Sequence, residues 1–301
     1  MKTFKLQNDQ KIRDLGLAVA DWFVENTLQF NGVATSRISY TAQKTNRRKN
    51  IMLSSYDGSV IQRFSYNLGS NNFSSWSYDN KNILYTTFTR SKAQLVIQPS
   101  IRLRSKILEF PAGSQPLGAS WYPDGESILL TLMKKGNADI YSYNLSDAKL
   151  ESLFNWKSLE TSPHISPDGK KIAFVSDTAY PRSPQIYIHN LTTEKTERVT
   201  FKGNYNSSPK WSPDSTQLVY ERQKKKNFQI YKYNLLSRRH VQLTFGRHDS
   251  EKPDWSPNGK QIIFSSKIKK VPKLYYISSF GGRTIRVTKS PPNISETNPV
   301  W

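Results

Sequence analysis

The sequence predicts an all-β fold, a six-bladed β-propeller, from three observations. An apolar anchor recurs at Trp76, Trp121, Ile165, Trp211, Trp255 and Trp301, in steps of 45, 44, 46, 44 and 46 residues. Each of the first five anchors runs into a tight turn and then β-rich segments, and a period of roughly 40–45 residues with strand and turn signals inside each copy marks a four-stranded blade. The chain also stops on the beginning of one more copy, Ser295-Glu296-Thr297-Asn298-Pro299-Val300-Trp301, while its earliest strands lack an innermost one.

Composition fits this reading. With 301 residues the chain has room for one or two domains, and the unbroken repeat argues for a single ring. Its 16 Tyr, 14 Phe and 7 Trp suit stacked, twisted sheets. No apolar run approaches the ~20 residues needed to cross a bilayer, so no membrane span is expected. The start, Met1-Lys2-Thr3-Phe4-Lys5-Leu6, lacks the apolar core and small-residue cleavage site of a secretory signal. Absence of cysteine excludes disulfides and thiolate zinc sites. A formal charge of +21, from 44 Lys plus Arg against 23 Asp plus Glu, attracts nucleic acid, anionic lipid or acidic protein.

In chain order, residues 9–31 read as an amphipathic helix. Ile12, Leu15, Val19, Trp22, Phe23 and Phe30 recur near the 3.6 period, Asn8 or Asp9 caps the start, and Gly32 fits just past the end. Its stripe is expected to pack on the propeller or a neighbouring domain, because Asp14, Asp21 and Glu25 break the basic face that a membrane-surface helix needs. Strands follow at 37–42, 51–55 and 60–66, the last two joined by the hairpin turn Asp57-Gly58. Full repeats begin at Asn71. Their first turns are Tyr78-Asp79-Asn80, Pro123-Asp124-Gly125, Pro167-Asp168-Gly169, Pro213-Asp214-Ser215 and Pro257-Asn258-Gly259, residues that preset φ, bond their own backbone and take the left-handed corner. Strands b and c follow, and strand d closes three copies with Val199-Thr200, Leu243-Thr244 and Val287-Thr288. The last blade is expected to take strand a from the C-terminus and b, c and d from residues 37–66, removing the open sheet edges. Residues 1–36 are thus assigned to an N-terminal helical segment and 37–301 to the ring.

The Trp-Ser-Pro turns, the Gln-Ile-Tyr strands at Gln185-Ile186-Tyr187 and Gln229-Ile230-Tyr231, the Leu-Thr endings, the run Leu95-Val96-Ile97-Gln98 and the terminal Pro299-Val300-Trp301 resemble the TolB family propeller. Ser36-Arg37-Ile38-Ser39-Tyr40 is similar to the segment by which that family passes from a helix into its ring. The resemblance covers about residues 33–301. It implies a non-enzymatic, periplasmic, monomeric protein-binding scaffold of the Tol–Pal envelope system, with the helix as the remnant of, or link to, a preceding α/β domain. The partners it implies are a Pal-like peptidoglycan-associated lipoprotein and a TolA-like protein.

Motifs for chemistry are sparse. The sequence has no Gly-x-Ser-x-Gly elbow, His-Glu-x-x-His pair or phosphate loop, so no catalytic residue, cofactor or metal site is assigned. His164, His189, His240 and His248 fall at irregular places in different copies and read as surface or packing residues. Asp124, Asp168 and Asp214 read as turn residues rather than calcium ligands.

Strand alternation puts the a–b and c–d turns on one face and the b–c and d–a loops on the other. The b–c loops carry basic groups in every blade, among them Arg47, Arg48, Lys49, Arg90, Lys134, Lys135, Arg182, Lys224, Lys225, Lys226, Lys267, Lys269 and Lys270. They form either a solubilising fringe or a crown that steers an acidic partner. The polar d–a loops resemble the family's partner-receiving surface, which makes Glu160, Thr161, Asn206, Ser207, Glu251, Glu296 and Thr297 the candidate partner-binding residues. The other readings are a basic propeller that binds nucleic acid or another polyanion, with Tyr180 and Phe228 as its main aromatics, and a lyase or hydrolase with a titratable pair in its mouth.

Overall fold

The computed structural model describes residues 12–45, 47–67, 69–100, 104–154 and 156–301. Six four-stranded antiparallel sheets are arranged around one axis. Their innermost strands are Ser70–Trp76, Ser114–Trp121, Glu160–Ile165, Asn206–Trp211, Ser250–Trp255 and Ile294–Val300. The sixth sheet runs Ile294–Val300, Arg37–Lys44, Asn50–Ser55, Ile61–Arg63, so the C-terminal strand completes the N-terminal blade. Ser39 pairs with Val300 and Thr41 with Thr297. Trp301 locks the junction: its backbone N–H donates to Asp254 Oδ2 (3.1 Å) and its Nε1 to Ser36 Oγ (2.7 Å). Without this strand Arg37–Lys44 would be a bare edge.

The core lies between blades. Strand b is buried on both faces, as in Lys171–Ser176 and Gln261–Ser266, because each sheet packs on a neighbour at either side. Ala173, Ile186 and Ile188 of one blade pack with Trp211, Leu218 and Tyr231 of the next. The anchor tryptophans stitch the same interfaces, donating Nε1 to the preceding blade's inner strand: Trp121 to Ser75 O (3.2 Å), Trp211 to His164 O (3.0 Å) and Trp255 to Lys210 O (3.1 Å). Ile165 fills the same position without that bond.

The a–b turns repeat one hydrogen-bond pattern. A Ser hydroxyl donates to the turn carboxylate or amide in Ser77–Asp79 (2.6 Å) and Ser256–Asn258 (2.8 Å), and the same oxygen accepts Lys81 N–H (3.0 Å) or Lys260 N–H (3.1 Å). Asp168 and Asp214 do likewise, so their carboxylates are consumed by the turn. Asn80, Gly125, Gly169, Ser215 and Gly259 take the left-handed corner.

Two expectations are corrected. The Val/Leu-Thr pairs do not end strand d; they lie just past Thr196–Arg198, His240–Gln242 and Ile285–Arg286. There Val199, Leu243 and Val287 are buried, and Thr200 and Thr244 hydroxyls accept the N–H of Ile186 (2.9 Å) and Ile230 (2.8 Å), standing in for ladder bonds. The helix is Ile12–Leu28, ended by Gln29 at φ 55° rather than by Gly32. The expected cap residues and helix positions 9–11 lie outside the described residues. Gly32 instead passes against Asp21, where a Cβ would sit 2.6 Å from the Asp21 Cβ. Buried Asp21 accepts from Ala34 N (2.6 Å), Thr35 N (2.8 Å) and Thr35 Oγ1 (2.6 Å). The helix meets the ring through Arg13–Asp57 (2.9 Å), and the loop after it through Asn258 Nδ2 to Asn31 O (3.0 Å), both on the a–b and c–d side. Its stripe is covered only in part: Ile12, Val19 and Phe23 are exposed, Leu15, Trp22 and Phe30 are half-buried, and Lys260 of the ring lies over Phe30 (5.2 Å). No helix among the described residues is long and apolar enough to cross a membrane.

Candidate binding face and central channel

Each innermost strand is bent by a bulge three residues before its anchor. Phe73, Ser162, Ser208, Lys252 and Asn298 adopt φ between 49° and 56°, and Gly118 has φ 129°. In every blade the pairing of strand a with strand b slips at this point. A bulge inserts one residue and re-aims the side chains beyond it. The six bulge residues line the channel toward the d–a mouth. Just below the mouth the prolines Pro163, Pro209, Pro253 and Pro299 line the wall.

The bulge also reverses the facing rule. By plain alternation, positions five and one before the anchor would share a side. Instead the residue one before the anchor lines the channel, forming a layer of Ser75, Ser120, His164, Lys210, Asp254 and Val300. The residue five before it, which includes Glu160, Asn206 and Glu296, is fully buried. Asn206 donates to Gln185 Oε1 (2.9 Å) and accepts from Arg222 Nε (2.9 Å). Glu160 accepts from Ser158 Oγ (2.6 Å) and Ser176 Oγ (3.1 Å), and burial raises its pKa. Glu296 accepts the Thr288 hydroxyl. Of the seven sequence-derived candidates, these three clamp the d–a loops from within. The other four, Thr161, Ser207, Glu251 and Thr297, sit one residue later. Thr161, Glu251 and Thr297 are partly exposed, and Ser207 is nearly covered.

One strap crosses two blades at the mouth. Glu221 on strand b, buried, accepts from Ser207 Oγ (2.6 Å), Ser208 Oγ (3.0 Å), Lys252 N (2.6 Å) and Lys252 Nζ (3.0 Å). Burial raises the Glu221 pKa, but Lys252 and these donors outweigh it and hold the group ionised. Burial likewise works against the Lys252 charge and Glu221 overcomes it. Burial, with Glu221 nearby, pushes Glu251 upward.

Deeper in, His164, Lys210 and Asp254 stand in consecutive blades of one layer. His164 Nδ1 accepts Trp211 N–H (3.2 Å), which fixes the ring proton on Nε2, and burial followed by the Lys210 charge lowers its pKa well below the usual value. Burial lowers Lys210 and raises Asp254, each partly offset by the other. Two of the remaining histidines serve packing: His189 bonds Thr196 Oγ1 (2.8 Å) and His240 bonds Tyr220 OH (2.9 Å). Sequence reasoning missed the channel layer. The signal was present as a polar residue directly before the anchor in most copies.

The same face carries more aromatics than Tyr180 and Phe228 alone. Tyr66, Phe201, Tyr205 and Phe245 on the d–a loops are exposed, Phe201 at 71% and Phe245 at 67%. Arg198 lies over Tyr180 (5.6 Å) and Phe201 (4.9 Å), and Arg63 over Tyr66 (5.1 Å). Phe228 is edge-on to Tyr205 at 5.4 Å.

The molecule is thus a closed six-bladed propeller with a bulged, polar-lined central channel. The family profile described as the TolB beta propeller domain (PD40) matches residues 24–301. The chain therefore belongs to the TolB β-propeller domain family. A Tol-Pal system protein TolB from Francisella tularensis (strain WY96-3418) is 35% identical over 81 residues, which is 27% of this chain and 19% of that protein. The matched stretch thus spans about a fifth of the curated relative. The crystal structure of TolB from Acinetobacter baumannii superposes with a TM-score of 0.84 at 23% identity, over 97% of this chain and 73% of that one. An oligogalacturonate lyase in complex with manganese shares the fold more distantly, with a TM-score of 0.60 at 15% identity over 86% of this chain and 77% of that one.

Proposed function

We propose that this chain is a non-enzymatic, periplasmic protein-binding scaffold of the Tol–Pal type that presents its b–c and d–a face to a Pal-like lipoprotein and a TolA-like protein. The observation that carries the reading is the family membership joined to the bulged mouth, which lies on the face opposite the helix. Thr161, Glu251 and Thr297 form the contact rim; Glu160, Asn206, Glu296 and the nearly covered Ser207 hold that rim in shape from beneath. The basic crown steers an acidic partner and acts mainly on association rate. Residues 1–36 serve as a helical segment separate from the ring of 37–301, and the ring works as a monomer without cofactor.

A second reading, a polyanion-binding propeller, is supported by the stacked pairs Arg198–Tyr180, Arg198–Phe201 and Arg63–Tyr66, since aromatic platforms beside cations suit single-stranded nucleic acid. The two readings separate in a capture experiment with immobilised Pal-like lipoprotein and with nucleic acid at low and physiological salt. Retention of the lipoprotein at physiological salt supports the scaffold. Loss of it, with nucleic acid retained, moves the function to the aromatic and basic crown.

A further inference from the structure

We propose that the waist of the channel is a carboxylate-binding site built from Lys210 and His164. Lys210 lines both the cavity below the d–a mouth and the tryptophan-walled chamber of about 310 Å³ beneath it, so its side chain stands where the two join. Among the described residues its ammonium makes no hydrogen bond and no ion pair within 4.0 Å. The other enclosed lysines are engaged: Lys252 with Glu221, Lys232 with Ser279 O (2.7 Å), and Lys273 with Ser290 Oγ, Pro291 O and Ile294 O (each 2.6 Å).

A second donor faces the same space. Because His164 Nδ1 is taken by Trp211 N–H, the ring offers Nε2–H from the blade next to Lys210. Asp254, the neighbour on the other side, is tied back: its Oδ2 accepts Trp301 N–H at the ring closure. Two donors lining one chamber, one of them charged and without a protein partner, with one oxygen of the neighbouring Asp254 carboxylate taken by backbone, suit a two-oxygen anion. Enclosure strengthens that attraction relative to a surface lysine. Packing does not require a lysine here, since the equivalent positions hold Ser75, Ser120 and Val300. The carboxylate is either a free small anion or the acidic side chain of a chain docked over the mouth. The site rests on channel geometry and stands whether or not the Tol–Pal reading does.

The test follows the His164 imidazole nitrogens by NMR while acetate replaces chloride at constant ionic strength, with acetamide as the uncharged control and a capped pentapeptide bearing one central Glu as a second probe. The expected result is a saturable shift with acetate or the peptide, at a dissociation constant in the low-millimolar range or tighter, and none with acetamide. Lys210→Met should abolish it, and Leu236→Lys, on a c–d turn of the opposite face, should keep it. Response to acetate identifies a free anion, and response to the peptide alone identifies a side chain from a docked partner. No saturable shift with either probe, or equal shifts with acetate and acetamide, overturns the site without reference to any variant. An unchanged response in Lys210→Met, with its folded circular dichroism intact, does the same.

Discussion

The two faces of the ring are built by opposite rules. On the a–b side, Asp79, Asp168, Asp214 and Asn258 make the same two bonds, to a hydroxyl two residues before and an N–H two residues after. On the d–a side the buried inner-strand residue changes from loop to loop: one carries Glu160 clamped by serines, one Asn206 clamped by glutamine, one Glu296 clamped by threonine. Uniform chemistry marks turns that need only close a blade. Variation above a constant bulge marks a surface free to be shaped for a partner.

Both faces depend on the ring closure. Deleting residues 295–301 should strip the inner strand from the sixth blade and expose Arg37–Lys44, costing most of the ring's stability, of the order of 5–15 kcal/mol for a folded domain. Chemical denaturation would show it as loss of a cooperative transition.

Next in size is the strap at the mouth. Lys252→Met leaves Glu221 buried without its cation. Breaking a fully buried pair costs about 3–5 kcal/mol, but the Lys252 side chain is 40% exposed, so a loss of about 2 kcal/mol is expected in urea unfolding. Lys252→Met with Glu221→Leu should recover part of it, since the unpaired charge is then gone.

On the uniform side, Ser212→Ala removes a hydroxyl that donates to Asp214 and accepts Gln217 N–H (2.9 Å), and should cost about 1 kcal/mol. Equivalent serines should give similar values, and a wide spread among them would undo the claim of uniformity.

Acid should act through the channel. His164 has a folded pKa well below its unfolded value, so the unfolded state binds its proton first and stability falls as pH drops below about 6.5. His189 and His240 are lowered by burial and act with the same sign. Raised carboxyls such as Glu160 and Asp254 act oppositely, so the check is differential: His164→Asn should lose less stability than wild type between pH 7.5 and 5.5 in parallel thermal melts. Smallest of all, Lys224→Gln/Lys225→Gln/Lys226→Gln should change stability by no more than about 0.5 kcal/mol.

The ring, its blade count and its closure were legible because the anchor repeats and the last copy is cut short at Trp301. The site was less legible, for one physical reason. The bulge at Ser208 and its equivalents adds a residue, so Asn206 turns inward while Lys210 turns to the channel, and period-two alternation fails across that point. The helix stripe misled differently: periodicity identifies an apolar face but not what covers it, and Phe23 and Leu28 stay exposed. Phe201 and Phe245 escaped notice because they follow buried Val-Thr and Leu-Thr pairs and read as the end of a strand rather than the start of a loop.

The central claim, that the varied face receives the partner, is tested most directly by measuring binding of a Pal-like lipoprotein to paired single variants. Glu251→Lys and Thr297→Lys alter the d–a rim, and Leu236→Lys alters a c–d turn where that residue is 95% exposed. At least tenfold weaker binding, about 1.4 kcal/mol, is expected for the rim variants and wild-type affinity for Leu236→Lys. Wild-type affinity at the rim with loss at Leu236 would place the partner on the other face and contradict that claim.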